Sequence, residues 1–280
     1  MRFIRSLIRL RHNPTLFLPI TRGPLHGFYH FFTGYLMPLY FDRMQHPNRK
    51  MAVVDSTPFN HWFSYLPGPA PDILDRHKSL KITYKARLWG FASGYRIHAV
   101  SGWDKWTAFP KRPLARIAQA LQADFSQNRS EDSDANYPIV VFGRGHTPEF
   151  YRDNLPERYG TAKRDIPNLT ELAEALDGLA PTMLVDPVEH TPEQVFRKLQ
   201  GARVIVAQHG AALTNILFAK PGTHVVEIAW PELESDHTLG MYRVLSEELG
   251  LNWQRPISQT ERFEPVDVGP LVTRIAELIE

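Results

Sequence analysis

The strongest pattern along the chain lies in its second half, where short apolar, β-branched runs alternate with segments whose apolar residues recur at helical spacing. Tyr137 to Phe142 reads as a buried strand, and Thr182 to Val185, Arg203 to Ala207 and His224 to Ile228 read as strands. Between them, Leu169 to Leu179 carries Leu169, Leu172, Ala173, Leu176 and Leu179 on one helical face. Thr191-Pro192 opens a further helix, with Pro in its first turn and Glu193 near its N-terminus. Ala211 to Ala219 and Met241 to Leu249 complete the helices of this half, and Val268 to Ile279 is a separate amphipathic helix at the C-terminal end. Strands alternating with helices predict a parallel sheet.

The first half follows the same scheme with a weaker signal. Thr15 to Pro19, Met51 to Asp55, Leu80 to Tyr84 and Ile97 to Val100 are expected strands, and Phe28 to Tyr40 and Leu114 to Phe125 expected helices. Between the halves, Ser126 to Asn136 holds Ala135 as its single apolar residue and reads as a linker. The expected organisation is an α/β domain over 1–128, a linker over 129–136, and a second α/β domain over 137–280. Two such halves enclose a cleft, where ligands bind.

Composition narrows the function classes. The 280 residues are 43% apolar and 22% charged, ordinary for a globular protein with two cores. Net charge is 32 − 30 = +2, so a nucleic-acid partner is not expected. The absence of cysteine excludes disulfides, thiol catalysis and Cys-based zinc sites, and is compatible with a cytoplasmic setting. Residues 1–10 alternate Arg2, Arg5 and Arg9 with Phe3, Ile4, Leu7, Ile8 and Leu10. They form either a first surface helix or an interfacial segment resting on anionic lipid at the inner face of a membrane. They lack the uninterrupted apolar core of a secretory signal.

The candidate chemistry sits where the strand ending at Ala207 meets the next helix. Gln208-His209-Gly210 forms the turn. Gly210 permits a positive φ or a close backbone approach to a ligand. The N–H groups of Ala211, Ala212 and Leu213 are expected to be the unpaired donors of a helix start, where a phosphate is favoured. His209 could add a charge-assisted bond, and Asn215 could reach back to the loop or to a ligand hydroxyl. The local pattern is equally that of a plain turn with His209 as a partly buried cap.

Gln208-His209-Gly210-Ala211-Ala212-Leu213-Thr214-Asn215, followed by Phe218, Pro221-Gly222 and Val225-Val226-Glu227-Ile228, resembles the hallmark region of glycosyltransferase family 61. That family includes capsular and lipopolysaccharide, plant xylan and O-GlcNAc-type transferases. The resemblance implies a GT-B arrangement of two Rossmann-like domains, with the nucleotide held mainly by the C-terminal one. It implies a nucleotide-sugar donor, UDP foremost, and a glycan or lipid-linked acceptor. It also matches Arg144, after the first strand of the second half, and Arg164, before Ile166-Pro167-Asn168, to family arginines. The interval between the two is longer than in the family. Arginine suits phosphate because its fork is always charged. With such cations present neither a metal nor a cofactor is required. Tyr242 falls where members often carry an aromatic. Asp186 and Glu227 could touch the ribose or be structural.

In the first half, Phe28 to Leu39 resembles the family's His-containing helix ending in Leu-x-Pro-Leu. Many members place an acid four residues after that His, where this chain has Gly34. His30 is therefore the first candidate for the general base and Asp55 the second. The expected activity is inverting, metal-independent sugar transfer in cell-surface polysaccharide synthesis. The competing readings are a nucleotide-sugar or glycan binding protein that has lost chemistry, suggested by Gly34, and a phosphate-ester hydrolase using His209.

Overall fold

The computed structural model describes residues 14–21, 25–76, 79, 95–101, 111–127, 136–143, 149–150, 166–231, 240–255, 259–261 and 264–280. Residues 1–10, the expected strand Leu80 to Tyr84, linker positions 129–135, Arg144 and Arg164 lie outside them. The chain divides into two compact units, Met1–Lys105 and Trp106–Glu280.

In the first unit, strands β1 (Thr15–Ile20), β2 (Met51–Val54), β3 (Asp72–Leu74) and β4 (Arg96–Ser101) form a parallel sheet in the order β3-β2-β1-β4. β1 is central and pairs Thr15 with both Met51 and Arg96. The helical stretch after β1 is α1 (Phe28–Phe31), a π turn (Phe32–Leu36) and α2 (Met37–Gln45). The whole π turn is buried, Gly34 included. Tyr35 locks it to the sheet, its hydroxyl donating to the Phe17 carbonyl at 2.7 Å and accepting from Val54 N–H at 3.0 Å. Burial pushes the Tyr35 phenol well above its ordinary pKa, so it stays neutral. β3 has only three residues, too few to reveal alternation in the sequence.

In the second unit, β5 (Ile139–Phe142), β6 (Thr182–Val185), β7 (Val204–Gln208), β8 (His224–Ile228) and β9 (Asn252–Gln254) form a parallel sheet in the order β6-β5-β7-β8-β9. Every residue of β5 and β7 is buried, as expected of strands covered on both faces. Ile139, Val141, Val204, Val206, Val226 and Ile228 pack with α4 (Leu169–Asp177) and the C-terminal helix Val268–Ile279 through Leu172, Leu176, Leu271 and Ile275. The alternating residues point to the other face. α5 (Pro192–Leu199) starts in a capping box, Gln194 N–H donating to Thr191 Oγ1 at 3.3 Å and Thr191 N–H to Gln194 Oε1 at 2.8 Å.

One boundary differs from the sequence reading. Helix α3 (Lys111–Gln127) groups with the second unit, although the polar run that follows it suggested the first. Its apolar contacts decide this. Phe125 packs on Phe196 and Phe218, with centroids 5.6 and 5.5 Å apart. Gln122 donates to the carbonyls of Leu217 and Ala219. A polar linker marks where a chain is exposed, not which core claims the helix before it.

Candidate functional site

In the second sheet, β5 is flanked by β6 on one side and β7 on the other. The chain therefore leaves β5 for β6, then crosses back past β5 to β7. The carboxyl ends of β5 and β7 form the topological switch point, the position where open α/β sheets bind ligands. Gln208 ends β7 there, and His209-Gly210 follows.

The turn is built by three devices. His209 N–H donates to the Ile228 carbonyl at 2.9 Å, holding the chain against β8 one residue beyond the strand. Gly210 then takes φ 153° and ψ −177°, a conformation open in practice only to glycine. Gln208 is buried and donates through Nε2 to Gln259 Oε1 at 3.0 Å, while Gln259 donates to the Glu264 carbonyl at 2.7 Å.

The expected α-helix at Ala211 is a 3-10 helix, Ala211–Phe218. Leu213 to Phe218 are all buried, the polar Thr214 and Asn215 included. Leu213 N–H donates to the Gly210 carbonyl at 3.0 Å, so it is paired rather than a free donor. The tighter i→i−3 pattern leaves the N–H groups of Ala211 and Ala212 without an intrahelical acceptor. Both residues are half-buried. Asn215 reaches back, its Nδ2 donating to the Ala212 carbonyl at 2.9 Å.

His209 is 5% exposed and Glu227 fully buried. Nδ1 of the imidazole meets Oε1 of Glu227 in a short contact. The other carboxylate oxygen accepts from Trp253 Nε1 at 2.7 Å. Both oxygens of Glu227 thus face protein donors. The His209 ring also lies edge-on to Tyr242, at 5.5 Å between centroids, and to Trp230, at 6.4 Å. Tyr242 is fully buried, so its part is to wall the ring. A carboxylate opposite Nδ1 makes that nitrogen the proton-bearing one and leaves Nε2 for a ligand. Asp186, at the end of β6, accepts from Val188 N–H at 3.0 Å within a turn.

The first unit places its two candidates at the corresponding sheet edge. His30 is half-buried on α1, in the helical stretch that follows β1. Asp55 follows β2 directly, and its Oδ1 accepts from Thr57 N–H, Thr57 Oγ1 and Asn60 Nδ2 at 3.0, 2.7 and 2.6 Å. Burial alone would raise the Asp55 pKa. The Thr57 and Asn60 hydrogen bonds, helped by the charge of Arg76, outweigh it and hold the carboxyl below its usual range. Arg76 Nε donates to the Asp55 carbonyl at 3.3 Å. His26, in the turn before α1, is held below its ordinary pKa by burial and then by Arg76. His26, Arg76, Trp253 and Gln259 were not singled out by sequence reasoning. Trp253 sits on a three-residue strand with no readable period, and His26 and Gln259 lie in irregular segments.

Among the described residues, no group of three or more His, Asp or Glu side chains is gathered as a metal ion would need. No helix among them is long and apolar enough to cross a membrane.

The family model for Glycosyltransferase 61 matches residues 28–226, more than two thirds of the chain. That span includes His30, Asp55, Arg144, Arg164 and His209. No curated protein is similar enough to match. Among solved structures, ADP-heptose LPS heptosyltransferase II of E. coli is similar, at 10% sequence identity and a TM-score of 0.48, over 95% of this chain and 97% of that one.

Proposed function

This chain belongs to glycosyltransferase family 61, and from that premise we propose that it transfers a sugar from a nucleotide donor, UDP foremost, to a glycan or lipid-linked acceptor in cell-surface polysaccharide synthesis. The observation that carries the donor half is the His209-Gly210 turn at the switch point. It sets a nearly buried imidazole beside the N–H groups of Ala211 and Ala212, which have no intrahelical acceptor. Fixed donors of this kind stabilise charge that develops on a leaving group, and removing one costs roughly 2.7–4 kcal/mol of transition-state stabilisation in an oxyanion hole. Arg144 and Arg164 complete the diphosphate cradle. Glu227, whose oxygens are both engaged, serves by orienting His209.

The acceptor half rests on His30. The acceptor hydroxyl gives its proton to the imidazole, its oxygen attacks the anomeric carbon, and the bond from that carbon to the diphosphate breaks with inversion. The nucleoside diphosphate leaves with the electron pair, met by His209 and the N–H groups of Ala211 and Ala212. No metal or cofactor takes part in this scheme. Asp55 is the weaker candidate, because three hydrogen bonds stabilise its charged form and so lower its basicity. Residues 1–10 bring the enzyme to the inner face of a membrane that carries the acceptor.

The test is a panel of UDP-, GDP- and CMP-sugars, scored for binding and for slow donor hydrolysis. Binding with turnover supports the proposal. Binding without turnover, with or without acceptor, makes the protein a silent sugar-nucleotide module. No binding to any nucleotide overturns the donor assignment.

A further inference from the structure

The imidazole of His209 can present either nitrogen to its surroundings by turning over. Tyr242 and Trp230 wall the ring edge-on, and aromatic walls do not distinguish one nitrogen from the other. Glu227 does, because its Oε1 meets Nδ1. Yet a carboxylate also turns about its last torsion, so something must hold it. That group is Trp253. Its indole N–H, which can only donate, meets Oε2 at 2.7 Å. Trp253 pairs in register with Val225, two residues before Glu227 on β8, so both side chains emerge on the same face of the sheet. Arg255 lies over the indole at 6.0 Å from its centroid and gives the ring a second contact.

We infer that Trp253 is a positioning residue for sugar-nucleotide binding, acting through Glu227 on His209. The indole N–H fixes the carboxylate, and the carboxylate fixes Nδ1 as the proton-bearing nitrogen. Nε2 is thereby turned outward, and with a second proton there the imidazolium, its charge balanced by Glu227, donates to the diphosphate. This inference rests on the proposed donor site, and the experiment separates the two.

Binding of UDP, with GDP and CMP in parallel, is measured by calorimetry for wild type, Trp253→Phe, His209→Ala and the double variant. His209→Ala is expected to weaken binding roughly 20-fold, as the loss of a charge-assisted bond does. Trp253→Phe is expected to weaken it about fivefold in wild type, and not at all once His209 is gone. The same loss in both backgrounds would overturn the inference while leaving the donor site standing. Unchanged binding in His209→Ala would overturn the donor site, and the unliganded protein then decides the positioning by itself. In Glu227→Gln, the indole N–H claims the amide oxygen and turns the amide NH₂ toward Nδ1. Nitrogen-15 spectra of His209 should therefore show its proton moved from Nδ1 to Nε2. A proton that stays on Nδ1 means Trp253 does not direct this network. This readout needs no ligand, and it serves equally if Trp253→Phe fails to fold.

Discussion

The carboxyl edges of the two sheets are made differently. At the second, His209 is almost wholly buried, with its backbone tied to Ile228 and its ring nitrogen engaged by a carboxylate that is itself engaged by Trp253. At the first, His30 and Asp55 are half-buried, and the strong hydrogen bonds there close a local turn around Asp55. One edge is fixed before any ligand arrives and the other is left accessible. That division suits a transferase. A diphosphate has the same shape in UDP- and GDP-sugars and rewards a rigid cradle, whereas a base must let acceptors in and release products.

The contrast can be broken at its most rigid point. Glu227→Ala strands a buried donor on His209 and a half-buried one on Trp253, and is expected to lower stability by about 2–5 kcal/mol. Asp55→Ala, at the open edge, should lower it by about 1 kcal/mol. Urea unfolding of the two variants side by side measures the difference, and equal losses would erase the distinction between the edges. Next in size is His30→Ala, which should reduce turnover roughly 100-fold while leaving nucleotide affinity unchanged. Asp55→Asn should keep most of the activity. The reverse ranking, read from initial rates at saturating donor, would move the base to Asp55. Gly210→Ala forces a side chain onto φ 153° and should cost about 1–3 kcal/mol, with nucleotide binding weakened alongside. Thermal melting with and without nucleotide tests both.

The smallest effect is a pH dependence. His26 is depressed by burial and Arg76, and His224 by burial, Arg203 and Arg274. Both bind protons more readily in the unfolded chain. Their contribution is complete above the ordinary histidine value of 6.5 and is lost as pH falls from there through the depressed folded values. Unfolding midpoints at pH 7.5 and 5.5 should differ in that direction, and His224→Gln should shrink the gap.

Much of this architecture is legible in the chain because its strands are short continuous apolar runs and its helices have one apolar face. Thr182 to Val185, His224 to Ile228 and Val268 to Ile279 read with the bounds the fold gives them, since continuous apolar runs and one-sided helices announce themselves. β3 and β9, three residues each, carry no period and were missed. The segment from Ala211 is helical as its sequence predicts, but apolarity alone does not distinguish the tighter 3-10 winding from the α form. The helical reading of Phe28 to Tyr40 held, but its π turn at Phe32–Leu36 carries no sequence mark.

Sequence by itself determined the alternation of strands β5 to β8 with helices, the turn at His209-Gly210 and the family to which the hallmark segment points. These are local facts, written in apolar spacing and in one glycine. Tertiary structure decided the rest. It claimed α3 for the second core through Phe125, paired Leu213 N–H with Gly210, and set Glu227 against Nδ1 of His209. It also brought in Trp253, 26 residues beyond Glu227. Strand order alone makes those side chains neighbours, and strand order is a property of packing that no stretch of sequence states.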